Sequence, residues 1–470
     1  MHEQGRGSQG SRPRGWRMAT GVVVAWLVVC AGPLAAARGI DPQPGGVEAL
    51  HIRVDFPDAP GHDVSEAVAR QSFEQAGAHL EASTWGELWF SDVHVTPVYQ
   101  MPRSTDYYTG NFLALMEDAV DAANSDGYFV RSYWNHGVSF NELGYSWGGL
   151  GWIGSPGIWL NGTGDVPGLV THEFGHNLGA QHAGFWDGAS TDPLSPGGQY
   201  SQYGDVFDVM GRSVTEFDRN QFSTVWKARF GWLDDETNVL ADPEPGVHRI
   251  YAHDAYGLTG ATHVEDRPYA LKLDTGAGTA YWLELRQAFA DAADDAALQF
   301  RLSPGWGGYV GPVDGGRHNT DTLLLDMTGQ GEAHTAPLPL GGTYTSDALG
   351  LHVTPLAAGY ADDGNLWLDV GLVELVLGDM NGDGVVNTAD VAPFVLALTD
   401  PQAYDAAYGL DPVLVGDINQ DGAFNTADVA PFVELLTAAA VPEPGTLALL
   451  GAATMMLAAR RRGRIARRRG

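Results

Sequence analysis

One cysteine, Cys30, occurs in 470 residues, and it lies in an apolar run from Met18 to Ala37. That run follows Arg6, Arg12, Arg14 and Arg17 and ends in three alanines before Arg38, the length and order of a secretory signal peptide over residues 1–37. Once such a leader is removed the chain holds no thiol, so disulfides and a cysteine-based latency switch are excluded. Positive charge is scarce as well: 26 Lys+Arg stand against 58 Asp+Glu, a formal charge of −32. Loss of four arginines and Glu3 with the leader, and of seven arginines and Glu443 with the tail from 441, leaves 15 basic against 56 acidic residues, or −41. Such a surface repels nucleic acid and favours cations or a saline habitat. A long apolar span is lacking too. The stretch from Thr446 to Ala459 is shorter than the ~20 residues that cross a bilayer, so it predicts a transient anchor.

Against these absences, residues 172 to 182 read His-Glu-Phe-Gly-His-Asn-Leu-Gly-Ala-Gln-His. On a helix, His172 and His176 lie one turn apart on the same face and reach one cation. Glu173 sits beside them, where a carboxylate contacts a metal-bound water without becoming a ligand. Gly179 predicts a left-handed stop after Leu178, from which the chain swings back to bring His182 in as third nitrogen. Three protein ligands leave one position open, as catalytic zinc requires.

A second segment, Tyr203-Gly-Asp-Val-Phe-Asp-Val-Met210-Gly211, follows His182. The two segments together resemble the metzincin zinc proteases, and their wording is similar to the gametolysin-like branch over roughly residues 46–235. The resemblance implies one catalytic zinc on His172, His176 and His182, Glu173 as general base, and Met210 as an apolar floor beneath the metal. It also implies that the Gly/Trp-rich run Trp147 to Trp159 holds the edge strand that pairs with extended substrate. A Gly-rich surface loop with packed tryptophans is the other reading of that run.

The pattern of 46–235 predicts secondary structure of its own. Leu50, Ile52, Val54 and Phe56 alternate with His51, Arg53 and Asp55, a half-buried strand. Val64, Val68, Phe73, Ala76 and Leu80 predict a helix over 64–82, and Phe112, Leu115, Met116, Ala119 and Ala123 a second over 111–123. Short strands fit 93–99 and 136–140, and Asp165 is the expected N-cap of the motif helix. Only about eight residues separate the leader from the first strand, which predicts no large prodomain. Residues 236–374 are less informative. Runs at Tyr281 to Arg286, Thr322 to Asp326 and Leu349 to Val353, between Gly/Pro/Asp turns, predict a small β-sandwich.

Near the C-terminus Gly378-Asp-Met-Asn-Gly-Asp-Gly-Val-Val-Asn-Thr-Ala-Asp390 recurs as Gly416-Asp-Ile-Asn-Gln-Asp-Gly-Ala-Phe-Asn-Thr-Ala-Asp428, each followed by Val-Ala-Pro-Phe-Val. Asp379, Asn381, Asp383, Asn387 and Asp390 hold positions 1, 3, 5, 9 and 12 of a calcium loop, with the Val385 carbonyl at 7. Asp417, Asn419, Asp421, Asn425 and Asp428 repeat the scheme, with Ala423 at 7. Asp rather than Glu at position 12 resembles type I dockerin repeats, which implies two Ca²⁺ ions and a cohesin-like partner. Val441-Pro-Glu-Pro444, the apolar stretch and the arginines to Arg469 resemble a PEP-CTERM sorting signal, which implies an exosortase-type processing enzyme and transient inner-membrane anchoring. The arginines favour a cytoplasmic tail end.

The fold class expected is α+β: a metzincin-type domain with a twisted sheet and an active-site helix (46–235), a β-sandwich-like domain (236–374), a small helical dockerin-like domain (376–440) and a sorting segment (441–470). The function expected is that of an exported bacterial zinc endopeptidase of the cell envelope, cell surface or extracellular matrix, acting on proteins or peptides. The alternatives are a surface or matrix binding protein on a protease fold, and a dockerin-mediated component of an assembly.

Overall fold

The computed structural model describes residues 44–439 except 189–192, 195–196, 213, 235, 277, 305–319, 347–348 and 409. The expected leader with Cys30 and the sorting tail from 441 lie outside the described residues. What is described is a mixed α/β architecture with several sheets and ten α-helices.

Five strands, β1 (Gly45–Asp55), β2 (Leu88–Gln100), β3 (Asn135–Phe140), β4 (Gly149–Gly151) and β5 (Ile158–Asn161), form one sheet in the order β2-β1-β3-β5-β4. All neighbours are parallel except β4, which closes the edge antiparallel to β5. Alternation along β1 implied one solvated face, but the structure buries both, with Leu50, Ile52 and Val54 on one side and His51 and Arg53 on the other. The reason is a second layer. Helix α1 (Glu66–Ser83) covers the polar-looking face, where His51 stacks on Phe73 at 4.4 Å and bonds Ala69 O and Ser139 Oγ. Arg53 donates to Thr96 O at 2.8 and 3.0 Å, so these buried polar groups have partners.

Ser65 caps α1 by accepting from Val68 N, one residue beyond the predicted start. A short helix α2 (Thr105–Thr109) leads to α3 (Phe112–Ser125), capped by Asn111, which puts Leu115, Met116, Ala119 and Ala123 into the core on the other face. The motif helix α4 (Pro167–Leu178) packs on α1 through an edge-to-face Phe73–Phe174 contact at 5.4 Å. Asp165 is not its cap. Pro167, with its fixed φ, takes the first helical position, so the cap is Val166, whose side chain accepts nothing.

Beyond α4 come β6 (His182–Asp187), β7 (Gln199–Ser201), α5 (Thr224–Arg229), β8 (Val239–Ala241), β9 (Gly246–Tyr251), α6 (Tyr256–Thr259), β10 (Ala270–Asp274), β11 (Thr279–Glu284), β12 (Ala297–Pro304), β13 (Thr320–Leu325), β14 (Leu338–Pro339), β15 (Tyr344–Ser346), β16 (Leu351–Tyr360) and β17 (Leu366–Glu374). Eight of these strands form a sheet ordered β7-β6-β13-β12-β11-β10-β8, with β14 added to β12. Four others, β15-β16-β17-β9, form a second sheet, and the two share a core containing Ile250, Leu283, Phe300, Leu323 and Leu368. A sandwich is therefore present, but it does not begin at residue 236. Strand β6 pairs parallel with β13 and β7 extends it, so the sheet runs through the expected boundary. Trp186 of β6 enters the sandwich core while Ala183 belongs to the core of the motif segment, which explains why this strand needs cover on both faces.

The two repeats fold around α7 (Val391–Thr399), α8 (Pro401–Tyr408), α9 (Pro412–Gly416) and α10 (Val429–Ala439). Their equivalent phenylalanines, Phe394 and Phe432, stack face to face at 4.1 Å over a small core with Met380, Tyr404 and Val415.

Candidate metal centre and active site

Helix α4 presents His172 and His176 one turn apart, and Gly179 ends it with φ +107°. Three residues after Gly179 the chain enters β6, whose first residue is His182. One ring nitrogen from each of the three histidines lies within 4.8 Å of the other two, the one such group of His, Cys, Asp or Glu donors among the described residues. Ring centroids are 4.9, 5.5 and 5.0 Å apart. In each imidazole the Nδ1 is taken by protein: Val209 O at 2.9 Å from His172, Ala180 O at 2.8 Å from His176, and the Gln202 amide at 2.7 Å from His182. The amide can turn its oxygen to accept a proton, so all three rings can face the cluster with Nε2.

Burial holds the histidines neutral. His172 is lowered to about 3 by desolvation and then by His176; His176 is lowered by burial, and His182 well below the usual range by burial and the other two rings. Neutral imidazole is the form that ligates. Burial also raises Glu173 to about 8, and its Oε2 is buried with no hydrogen-bond partner. A partnerless carboxylate oxygen beside three neutral imidazoles fits a cation and its water, because a nearby positive charge favours the ionised form. The donor set suits zinc.

The surroundings explain the glycines. A Cβ on Gly149 would come within 2.9 Å of Glu173 Cδ, and one on Gly151 within 2.7 Å of the Glu173 carbonyl, so edge strand β4 lies against the motif helix only because both positions lack side chains. Asn177 fastens the following loop by donating to Trp152 O and Gly157 O, and Gly154 N donates to His176 O. Met210 is fully buried, and a Cβ on Gly175 would strike its sulfur. Tyr203 lies beside the cluster, which its place in the sequence did not disclose: its half-exposed ring is 4.3 Å from that of His182 and 6.0 Å from that of His172. No spacing rule singles it out, since its loop follows a short strand rather than a helix.

The repeat loops are arranged differently. Asp379, Asp390 and Asp428 are fully buried and Asp417 nearly so, with Val385 exposed at the rim. Asp379 accepts from Gly382, Asp383 and Gly384 N, Asp390 from Asn381 and Asn387 N, and Asp383 from Val385 N. Asp417, Asp421 and Asp428 repeat this, and Asn387 and Asn425 donate to the Val385 and Ala423 carbonyls. Asn419 accepts from Asp421 N. The aspartates are gathered in the loops without converging as tightly as the histidines. Asp390 is raised, by burial first and by the charge of Asp379 as well.

Residues 440–462 match the model of the PEP-CTERM protein-sorting motif. The chain thus carries a sorting signal of secreted bacterial proteins of the cell envelope, one that implies exosortase processing and membrane anchoring. Among the described residues no helix is long and apolar enough to cross a membrane. No curated protein matches the sequence. Among solved structures, one described as a chaperone–substrate complex is 15% identical with a TM-score of 0.23, over 38% of this chain and 29% of that one. Wild-type OgpA from Akkermansia muciniphila is 9% identical with a TM-score of 0.28, over 71% and 93%. The catalytic inactive OgpA in complex with an O-glycopeptide substrate is 11% identical with a TM-score of 0.25, over 71% and 94%. Likeness at this level decides neither fold nor activity.

Proposed function

We propose that the protein is an exported zinc-dependent endopeptidase. The observation that carries this reading is the buried cluster of His172, His176 and His182 with the partnerless Oε2 of Glu173 beside it. A zinc ion held there by the three imidazoles would acidify a water and polarise the scissile carbonyl. Glu173 would take the proton from that water and deliver it to the leaving nitrogen. Strand β4 ends its sheet next to this carboxylate, and an edge strand is a template for an extended peptide. Met210 and Gly175 close the floor. An intact, buried Glu173 speaks against a binding protein that merely uses a protease fold.

Two Ca²⁺ ions in the 379–390 and 417–428 loops are part of the same reading, since buried like charges gathered in one loop call for a cation. They would make residues 376–440 a rigid spacer ahead of the sorting signal, with a cohesin-like partner as the alternative use. The test of the catalytic assignment is Glu173→Gln. The amide keeps the size and loses the base, so zinc content should hold while cleavage of a casein-like substrate falls at least ~10²-fold. Cleavage undiminished in this variant would refute the assignment.

A further inference from the structure

We propose that Arg301 and Arg286 are positioning residues of the metal centre, clamping from the β-rich half of the chain the 205–210 segment that orients His172 and supplies the Met210 floor. The inference rests on the metal-centre reading above and assigns part of that centre to residues beyond 236.

The segment is tied at both ends. On the metal side, Val209 O accepts from His172 Nδ1 at 2.9 Å, and Met210 O accepts from the amide of Ala183, the residue after His182, at 2.9 Å. Asp208 steadies the turn between them by accepting from Met210 N at 2.8 Å and Ser223 N at 3.1 Å. On the far side, Arg301 of β12 forms an ion pair with Asp205, and its Nε donates to Glu284 Oε1 at 2.7 Å. The other oxygen of Glu284 accepts from the amide and hydroxyl of Thr224, at 2.7 and 2.6 Å. Arg286 donates to Phe207 O and, at 3.0 Å, to Arg219 O, while its Nε is held by Asp254 at 3.1 Å. Each arginine thus grips the loop on one side and a carboxylate of the β-rich half on the other.

Neither guanidinium reaches solvent, and a buried charge is no cheap source of stability. What a guanidinium supplies is direction. Its planar fork bonds two acceptors at set angles, which a lysine ammonium or an aliphatic side chain does not do. Aimed at Asp205 and at Phe207 O, two such forks hold the Val209 carbonyl in place, and that carbonyl sets the tautomer and rotation of His172.

The experiment uses the full chain and compares Arg301→Lys and Arg286→Lys with Arg53→Lys, a buried arginine of β1 that bonds Thr96 and not this loop. Hydrogen exchange of the metal-free protein reads the clamp, and competition with a chromophoric chelator reads zinc affinity. Both clamp variants should exchange the 205–212 amides about tenfold faster and hold zinc about 10- to 100-fold more weakly, with exchange in α1 unchanged. Arg53→Lys should alter neither reading. If Arg301→Lys does not fold, Arg286→Lys, which keeps the Asp205 pair, decides. Wild-type exchange over 205–212 or wild-type zinc affinity in the folded clamp variants would overturn the proposal. A wild-type protein that binds no zinc would instead overturn the metal-centre reading, and the exchange arm would still decide whether the clamp exists.

Discussion

Gly149 and Gly151 face the same glutamate from neighbouring positions of one strand, and alanine at each should fail in a different way. Alanine at 149 places its Cβ 2.9 Å from Cδ and 3.0 Å from Cγ of Glu173, where carbon atoms settle at about 3.5–4.0 Å. The obstacle is the far end of a flexible side chain, so the carboxyl swings aside by ~0.5–1 Å and the fold is little disturbed. A base displaced by about 1 Å loses on the order of 10² in rate. Alanine at 151 meets the Glu173 carbonyl at 2.7 Å and His176 Cβ at 3.1 Å, and neither can turn away without moving α4. Overpacking of that kind costs about 1–3 kcal/mol and displaces a ligand as well. Cleavage of a quenched-fluorescence peptide, zinc content and melting temperature separate the two. Gly149→Ala should lose turnover with zinc and stability kept, whereas Gly151→Ala should lose all three. Gly144→Ala, with open space around its Cβ, is the control. Full turnover in Gly149→Ala would refute the placement of β4 over the base.

His182→Ala should weaken zinc binding far more than His248→Ala, whose imidazole bonds Glu244 O at the exposed start of β9; equal metal stoichiometry in the two variants would remove His182 as a ligand. Ca²⁺ should raise the melting temperature and helix content of the 376–440 region, and Asp379→Ala with Asp417→Ala should abolish that shift; a melt indifferent to Ca²⁺ and chelator would leave the repeats as an acidic linker. Burial lowers His79 to about 4, and its Nε2 bonds Asn220 O at 2.9 Å. A folded value below the unfolded one near 6.5 gives stability that is complete above about pH 6.5 and drains away as pH falls toward 4, by up to about 3 kcal/mol. His79→Gln should therefore lose less stability than wild type between pH 8 and pH 5, and an equal loss would refute the assignment.

What could be read from the sequence was what is local. The i, i+4 histidines, the left-handed Gly179 and the helices over α1 and α3 depend on neighbours a few residues away, and the structure places them within two residues of the expected positions. Position-by-position reading failed where partners are distant. His51 and Arg53 looked solvent-facing because alternation says nothing of a covering helix, and Ala69, Ser139 and Thr96, which satisfy them, lie 18 to 88 residues away in the chain. Asp165 looked like a cap because its type suits one, but Pro167 set the helix start a residue too late for it to act. Tyr203 joined the site through a ring contact that no periodicity encodes. The boundary at 235 rests on the extent of the metzincin resemblance, whereas the sheet follows hydrogen bonds between β6 and β13.

That pairing of β6 with β13 also orders events in time. Thr320 registers with His182 across roughly 140 residues of intervening chain, and parallel pairing at such separation forms slowly, after the closure entropy of the whole loop has been overcome. His172 and His176, by contrast, come together as soon as α4 winds. A chain emerging from its N-terminus therefore has two of the three imidazoles in place long before the strand that seats the third has left the synthesis or export machinery. On the peptidase reading, the three-histidine site is therefore completed only when β13 pairs with β6, late in the assembly of the chain.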